Sequence, residues 1–199
     1  MSSIDVGPGA VDRASTISGG NTIIDLANPA NASGTLDSFE IWASSNLSSV
    51  KMGTFSGSGS SYDDRDYESI GSVTSGSKQT FTGKNCDVVT GDYLGSYHSS
   101  GNLRRATSGG SGIYYKAADT FGGGANNYSA LANNVISIYA TAPDPPSSNI
   151  GACLGVAYAS IGKIMGLAIA SVGKIIGLAC AFITERRAAG HNNARSLRA

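Results

Sequence analysis

The amino-acid sequence predicts an all-β protein, an antiparallel jelly-roll sandwich followed by a short C-terminal repeat. Between residues 20 and 141, short runs of β-branched and aromatic residues alternate with clusters of Gly, Ser, Asn and Asp, which is the pattern of strands and turns. Glycine supplies 27 of the 199 residues, about twice its usual share of roughly 7%. Long 3.6-residue periodicity is missing before residue 150, so we predict no helix there.

Composition limits both the size of the fold and the class of partner. With 41% hydrophobic and 14% charged residues, the chain can bury one core and carry a smaller appended element. The formal net charge is zero, so the basic footprint of a nucleic-acid-binding protein is missing and we expect no nucleic-acid partner. Three cysteines without CxxC spacing predict neither a disulfide framework nor a zinc site, and we expect no metal and no cofactor.

The chain divides into five parts. Residues 1–19 are predicted to be an N-terminal arm without the basic and apolar regions of a cleaved secretory signal. The sandwich covers 20–141. The segment 142–149, APDPPSSN, holds three of the five prolines and is typical of a semi-rigid linker. An oligomerisation repeat, 150–183, and a basic polar tail, 184–199, complete the chain.

Nine short strands are predicted within the sandwich. In the second of them, alternation places Phe39 and Ile41 on the inner face, and Leu36, Ser38, Glu40 and Trp42 on the other face. Nine strands without an intervening helix favour a two-sheet antiparallel sandwich over a parallel α/β sheet. The predicted strands are 21–26, 36–43, 49–55, 66–73, 78–83, 92–99, 102–107, 112–117 and 134–141.

The segment CDVVTGDYLGSY, residues 86–97, predicts a Gly-Asp turn between two apolar strands. Gly91 suits a turn position with positive φ, and Asp92 suits a hydrogen bond to the turn backbone. Together with IDVGPGAVDRAS, NPANASGTLDSFEIWA and GSKQTFTG, this segment resembles β-sandwich proteins encoded by bacteriophages and uncultured microbes, which are regarded as virion- or tail-associated structural proteins. The resemblance covers about residues 4 to 141. It implies a jelly roll that displays loops or makes subunit contacts, and no catalytic residues.

Catalytic patterns are weak. A Ser-His-Asp arrangement built on His98, one of two histidines, is disfavoured because no nucleophile elbow such as GxSxG is present, and we expect His98 at the surface near a strand end. A paired-carboxylate glycosidase would draw on Glu40, Asp92 and Asp119, which the sequence cannot place opposite one another. We therefore predict that the protein is not an enzyme.

The acidic segment YDDRDYE, residues 62–68, is predicted to be a solvated loop that Arg65 partly neutralises. Its alternative is a Ca²⁺-type site with Asp63, Asp64 and Asp66 as candidate ligands, because hard cations accept carboxylate oxygens from such loops. The EF-hand spacing and its glycine are both missing.

Several tyrosines lie in or beside polar segments, where exposed rings can stack on sugar rings. The alternative is that about half of these side chains pack the sandwich and extend only their hydroxyls to solvent. Besides Tyr114, the candidate glycan contacts are Tyr62, Tyr67, Tyr97, Tyr115 and Tyr128.

An eleven-residue repeat begins after the linker. IGACLGVAYAS, IGKIMGLAIAS and VGKIIGLACAF follow one another from residue 150 to 182, and the last two share seven of eleven positions. This type of repeat resembles those appended to phage and environmental surface proteins, where they form intertwined or oligomerising segments. The candidate self-association residues are Ile150, Gly155, Ile161, Gly162, Gly166, Leu167, Ile169, Val172, Gly173, Gly177 and Leu178.

Three structures compete for the repeat. One strand and one turn per eleven residues favours a β-solenoid or intertwined strands, since large and small residues alternate in MGLAIAS. A helix of 3.67 residues per turn would supercoil to the right, at a cost of about 2 kcal/mol for the two glycines of each copy. A membrane span is long enough and carries GxxxG spacing, although Lys163 and Lys174 lie inside it.

The sequence therefore predicts a non-enzymatic assembly protein of a virion or an extracellular filament. Its jelly roll would be displayed through a self-associating repeat, with other copies of the chain, other virion proteins or surface glycans as partners. The alternative is a glycan-binding surface module with a C-terminal membrane anchor. A carbohydrate-active enzyme is the weakest of the three hypotheses.

Overall fold

The computed structural model describes residues 3–142, which form thirteen strands of one antiparallel sheet and contain no helix. The prediction of an all-β fold is confirmed, whereas the jelly-roll topology stays a prediction. The repeat and the tail lie outside the described residues. The strands are β1 (Asp5–Val6), β2 (Ser15–Ser18), β3 (Asn21–Asp25), β4 (Gly34–Ser58), β5 (Ser61–Val73), β6 (Lys78–Val88), β7 (Tyr93–His98), β8 (Ser100–Ala106), β9 (Ile113–Lys116), β10 (Asn126–Asn127), β11 (Ser129–Leu131), β12 (Val135–Ile136) and β13 (Ile138–Thr141).

Strand β4 organises the sheet. It spans 25 residues and pairs first with β6 and β13, then with β8, and finally with β5 and β7. From β7 the sheet continues through β3 and β9 to β11. We expected two strands, 36–43 and 49–55, where the structure has one. The intervening residues 44–48 resemble a polar turn, but they stay extended because they pair with β8.

Bulges bend β4 and change which side chains face inward. The register against β6 shifts between Leu36 and Ser38, and Ser49 has a φ of 50° beside the shifts near Val50. As a result Leu36 and Phe39 are both fully buried, although strict alternation placed them on opposite faces. The inward orientation of Phe39 and Ile41 is confirmed.

The main core joins strands from both ends of the sheet. Val6, Ile138 and Ala140 from the β1–β13 end lie in the same cluster as Ile113 of β9, and Leu131 of β11 packs against this cluster. Because one continuous cluster contains both groups, the sheet folds back over itself around a shared apolar interior.

The N-terminal residues belong to this fold. We expected residues 1–19 to form an arm, but β1 pairs with β13 and β2 pairs with β8. Val6 is fully buried. At the other end, the first compact unit of the chain ends at Pro145, inside the predicted linker.

The predicted Gly-Asp turn is confirmed. Gly91 has a φ of 91°, and the Val89 N–H donates a 2.8 Å hydrogen bond to Asp92 Oδ2. The same carboxylate binds Arg65 through Nε at 2.5 Å and Nη2 at 3.0 Å, which ties the turn to β5. Asp92 is 3% exposed, so this turn is fixed by a buried charge-assisted contact.

Candidate functional site

The sheet carries an aromatic face on the side away from the main core. On this face Gly53 of β4 is the register partner of Gly95 of β7. The two glycines form a patch of the sheet surface that has no side chains, which we call the floor of the aromatic face. Tyr67 is the register partner of Gly53, and a Cβ on Gly95 would lie within 2.7 Å of two atoms of the Phe55 ring. The glycines therefore make the room that these aromatic rings occupy.

Aromatic rings form a continuous cluster over this floor. The Tyr62 ring lies 5.9 Å from that of Tyr93, 5.2 Å from Tyr114 and 6.2 Å from Tyr128, between ring centroids. Phe121 lies 5.1 Å from Phe55 and 5.1 Å from Tyr67. Tilted and edge-on pairs of this kind contribute about 0.5–1.5 kcal/mol each beyond simple burial.

A cover loop, residues 117–128, holds Phe121 in place. The Thr120 N–H donates to Thr22 Oγ1 at 3.1 Å, and the Thr120 hydroxyl shares a 2.8 Å hydrogen bond with that of Tyr128. The Gly122 N–H donates to Asp64 Oδ2 at 2.9 Å. Phe121 is 7% exposed, so the loop closes one part of the aromatic face.

One ion pair borders the cover loop. Lys51 Nζ lies 2.7 Å from Asp119 Oδ2 and 5.2 Å from the centroid of the Tyr67 ring. The hydrogen bond that Lys51 donates to Asp119 raises the pKa of Lys51. Burial opposes this effect, and the charge of Asp119 and the nearby Tyr67 and Tyr97 add to it. Both side chains are partly exposed, so this pair orients the loop more than it stabilises the fold.

The predicted glycan tyrosines divide into three groups. Tyr62 and Tyr128 are 4% and 6% exposed and pack inside the aromatic cluster. The Tyr67 ring contacts both Lys51 and Phe121, and Tyr97 lies beside this cluster, partly buried. Tyr115 packs against the main core on the opposite face. The ring faces of Tyr62 and Tyr128 are therefore covered, and a sugar cannot stack on them.

Sequence reasoning did not name Tyr93, Phe55 or Phe121 as site residues. Tyr93 directly follows Asp92 and lies within the predicted strand 92–99. The available signal was alternation: Tyr93, Gly95 and Tyr97 lie two residues apart on one strand and must share a face.

The acidic segment is part of a strand. Residues 62–68 lie within β5, paired with β4, so the prediction of a loop is wrong. The register shift opposite Thr54 and Phe55 leaves Arg65 bulged outward, where it reaches Asp92. Propensity suggested a turn, but pairing with the C-terminal half of β4, from Leu47 to Ser58, imposes an extended backbone.

Three acidic side chains of β5 accept hydrogen bonds from backbone N–H groups of other segments of the chain. Besides Asp64, which binds the Gly122 N–H, Asp66 Oδ2 accepts from the Asp87 N–H at 2.8 Å and Glu68 Oε1 from the Asn85 N–H at 3.0 Å. The last two contacts connect β5 to β6, which are not backbone-paired partners. Within residues 3–142 no group of three or more acidic, His or Cys side chains is placed to hold a metal ion.

The candidate catalytic carboxylates are held apart in separate ion pairs. Glu40 binds Lys78 at 2.8 Å, Asp92 binds Arg65, and Asp119 binds Lys51. Each pair lies on a different part of the sheet, and the prediction that the protein is not an enzyme stays untested.

His98 is fully buried, so the expectation of a surface histidine is wrong. Neither ring nitrogen has a hydrogen-bond partner among the described residues. Burial lowers the pKa of His98 to about 4, and the nearby Ile17 backbone opposes this only in part. The ring is therefore neutral at physiological pH.

Asp25 is a second buried titratable group. Its carboxylate accepts the N–H groups of Ala27 at 2.9 Å and Ile136 at 2.7 Å, which links β3 to β12. Burial raises the pKa of Asp25 to about 6, against the lowering effect of these hydrogen bonds and of Arg13. This contact is structural, because the side chain has no exposed surface.

The self-association residues of the repeat, from Ile150 to Leu178, lie outside the described residues. Within the described range, no helix is long and apolar enough to cross a membrane. No protein-family model matches the chain, and no curated protein is significantly similar to it in sequence.

Proposed function

We propose that the chain is a non-enzymatic structural protein of a virion or an extracellular filament, in which the β-domain is displayed by self-association of the repeat at 150–183. The observation that carries this proposal is the eleven-residue repeat itself, which follows a proline-rich segment after a domain with its own core. A jelly-roll topology for that domain belongs to the same proposal.

The domain supports this role because its first and last described strands are joined. β1 pairs with β13, and the Ala142 N–H donates to the Ile4 carbonyl at 2.9 Å. A chain that leaves the domain beyond Ala142 can therefore carry an appended segment without removing a strand from the sheet.

The composition of the repeat supports association between chains. Met165, Leu167 and Ile169 alternate with small residues, so a β conformation would place a large apolar stripe on one face. Three copies in one chain are too few to bury that stripe, and equivalent stripes of other chains are complementary to it. Arrayed domains would then gain avidity without any new contact within a single domain.

A transfer experiment tests whether the repeat is sufficient. Residues 150–183 fused to a monomeric carrier are expected to oligomerise the carrier in light scattering after size-exclusion chromatography. Substituting Leu167→Asp and Ile169→Asp together is expected to restore the monomer, because both charges would lie in the apolar stripe.

The matched controls use positions that the β interpretation leaves in solvent. Lys163→Asp should preserve the oligomer, and a fusion of residues 184–199 alone should stay monomeric. A carrier that remains monomeric with the intact repeat would contradict the proposal.

A further inference from the structure

Three tyrosines from three different strands converge at one end of the aromatic face. Tyr62 of β5 lies between Tyr93 of β7, at 5.9 Å, and Tyr114 of β9, at 5.2 Å. The Tyr62 ring is nearly buried, whereas Tyr93 and Tyr114 are partly exposed beside it. We call these three residues the tyrosine trio.

The hydroxyl groups of the trio have no hydrogen-bond partner among residues 3–142. Burial, with smaller contributions from the neighbouring Tyr93 and Tyr114, raises the pKa of Tyr62 to about 12. Within residues 3–142, tyrosine hydroxyl hydrogen bonds are made by Tyr128 and Tyr139, and the trio's hydroxyls are not among the buried unpaired atoms. Each therefore both donates and accepts at the edge of an apolar patch.

The charged side chains of this face already have partners. Lys51 binds Asp119, Lys116 Nζ donates to Asn126 Oδ1 at 2.6 Å, and Asp64 accepts from Gly122. The register neighbours at the edge of the trio are Ser61 and Asn127, which are exposed and uncharged. This end of the face therefore offers hydroxyl, amide and aromatic groups, with the carboxylates of Asp64 and Asp63 near Tyr128 rather than an unpaired cation.

We propose that the tyrosine trio is a binding subsite for a neutral saccharide. A pyranose presents apolar C–H groups between hydroxyls. The C–H groups match the partly exposed rings of Tyr93 and Tyr114, and the sugar hydroxyls match the phenol hydroxyls of the trio. An anionic ligand would need an unpaired cation, and a purely apolar ligand would leave the trio's hydroxyls without partners. The subsite differs from our sequence prediction, because it includes Tyr93 and leaves out four predicted contacts: Tyr67, Tyr97, Tyr115 and Tyr128.

The subsite would act in the display function proposed above but does not depend on it. Binding by one trio is a property of a single domain, whereas assembly belongs to the repeat. Failure of one therefore leaves the other intact, and arraying the domains would only strengthen a weak individual contact.

Saturation-transfer difference NMR on the full chain tests the subsite with cellopentaose, maltopentaose and chitopentaose as probes. We expect saturation transfer to at least one of them. The double variant Tyr93→Phe/Tyr114→Phe keeps both rings and removes two hydroxyls, so the affinity should fall about tenfold or more. Tyr115→Phe is the matched control, because its side chain is on the opposite face of β9, and it should bind like the wild type.

Two results would overturn the proposal. One is the absence of saturation transfer from the wild-type chain to all three oligosaccharides. The other is equal affinity in the wild type and the double variant, with thermal melts showing that both are folded. Should the double variant unfold, the single variants Tyr93→Phe and Tyr114→Phe provide the same comparison, each with an expected loss of about threefold or more.

Discussion

At the scale of single residues, two paired glycines allow the aromatic face to exist. Gly95 lies under the Phe55 ring, and a Cβ there would be 2.4 Å from Phe55 Cε2. Phe55 cannot easily move away, because it is fully buried and packs against Phe121 and Tyr128. We therefore predict that Gly95→Ala lowers the free energy of unfolding by about 1–3 kcal/mol through overpacking.

Urea denaturation monitored by tyrosine fluorescence would measure this loss. Gly123→Ala is the matched control, since Gly123 is exposed and has no positive φ. A Cβ there would lie 3.2 Å from the Thr120 carbonyl oxygen, a milder contact than at Gly95, so the loss of stability should be clearly smaller. An equal loss of stability in both variants would contradict the account, because it would show that the contact between Phe55 and Gly95 does not make position 95 sensitive to an added Cβ.

His98 and Asp25 affect the pH dependence of stability in opposite directions. His98 has a pKa of about 4 in the folded state and 6.5 ordinarily, so its contribution is present above pH 6.5 and lost as the pH falls through 4. Asp25 has a pKa of about 6 against 3.8, so its contribution is present below pH 3.8 and lost as the pH rises through 6. Each amounts to at most about 3 kcal/mol at 1.36 kcal/mol per pKa unit.

Replacing His98 should reveal the effect of Asp25 on the pH dependence of stability. In the wild type we expect the two effects nearly to cancel between pH 4 and 6. In His98→Leu the effect of Asp25 remains, so the free energy of unfolding should increase as the pH falls from 6 to 4, relative to the wild type. Parallel pH profiles of the two proteins in urea denaturation would show that His98 does not titrate as its burial requires.

At the scale of elements, strand β5 is fixed by its own carboxylates and by Arg65. The Asp92 carboxylate holds both the Arg65 guanidinium and the Val89 N–H, and it is nearly buried. Asp92→Asn removes the charge and one acceptor oxygen, so we predict a loss of about 2 kcal/mol in the free energy of unfolding.

Thermal unfolding by calorimetry would measure this loss. Asp63→Asn is the control on the same strand, since Asp63 makes no hydrogen bond to the described residues in this structure and should leave the melting temperature unchanged within about 1 °C. A melting temperature that falls equally in both variants would mean that the net charge of β5, and not the Arg65 contact, sets its stability.

The sequence predicts where most strands lie but not how long they are. The runs 36–43 and 49–55 were recognised from their apolar residues, and the structure joins them into β4. The joining residues are polar, and their extended form depends on partners far away in sequence, such as Ser45 with Asn102. Sequence reasoning also missed four short strands, β1, β2, β10 and β11. Each has only two to four residues, which is too few to show a periodic pattern.

The sequence allowed us to predict most of the tyrosines of the candidate site, but not how their rings are arranged. Of the five tyrosines predicted as glycan contacts, Tyr62, Tyr67, Tyr97 and Tyr128 lie in or beside the aromatic cluster, and contact with a glycan stays a prediction. Which rings are open and which are covered depends on the cover loop and on Gly53 and Gly95, and these relations are not local in sequence. The burial of His98 escaped prediction likewise, because its strand-end position says nothing about the layer packed over it.

At the scale of the whole molecule, the proposal joins two kinds of structure in one chain. Residues 3–142 supply a folded β-domain with a fixed aromatic face. The repeat at 150–183 supplies the apolar stripe that a single chain cannot bury in a β conformation. In this interpretation the domain presents contacts and the repeat determines how many copies are presented together.

Sedimentation velocity, comparing the full chain with a chain ending at Asn149, tests the display function most directly. We predict that the full chain sediments as an oligomer, whereas the shortened chain sediments as a monomer of the β-domain. A monomeric full chain, or an oligomer of the same number of copies after the repeat is removed, would contradict assembly through the repeat.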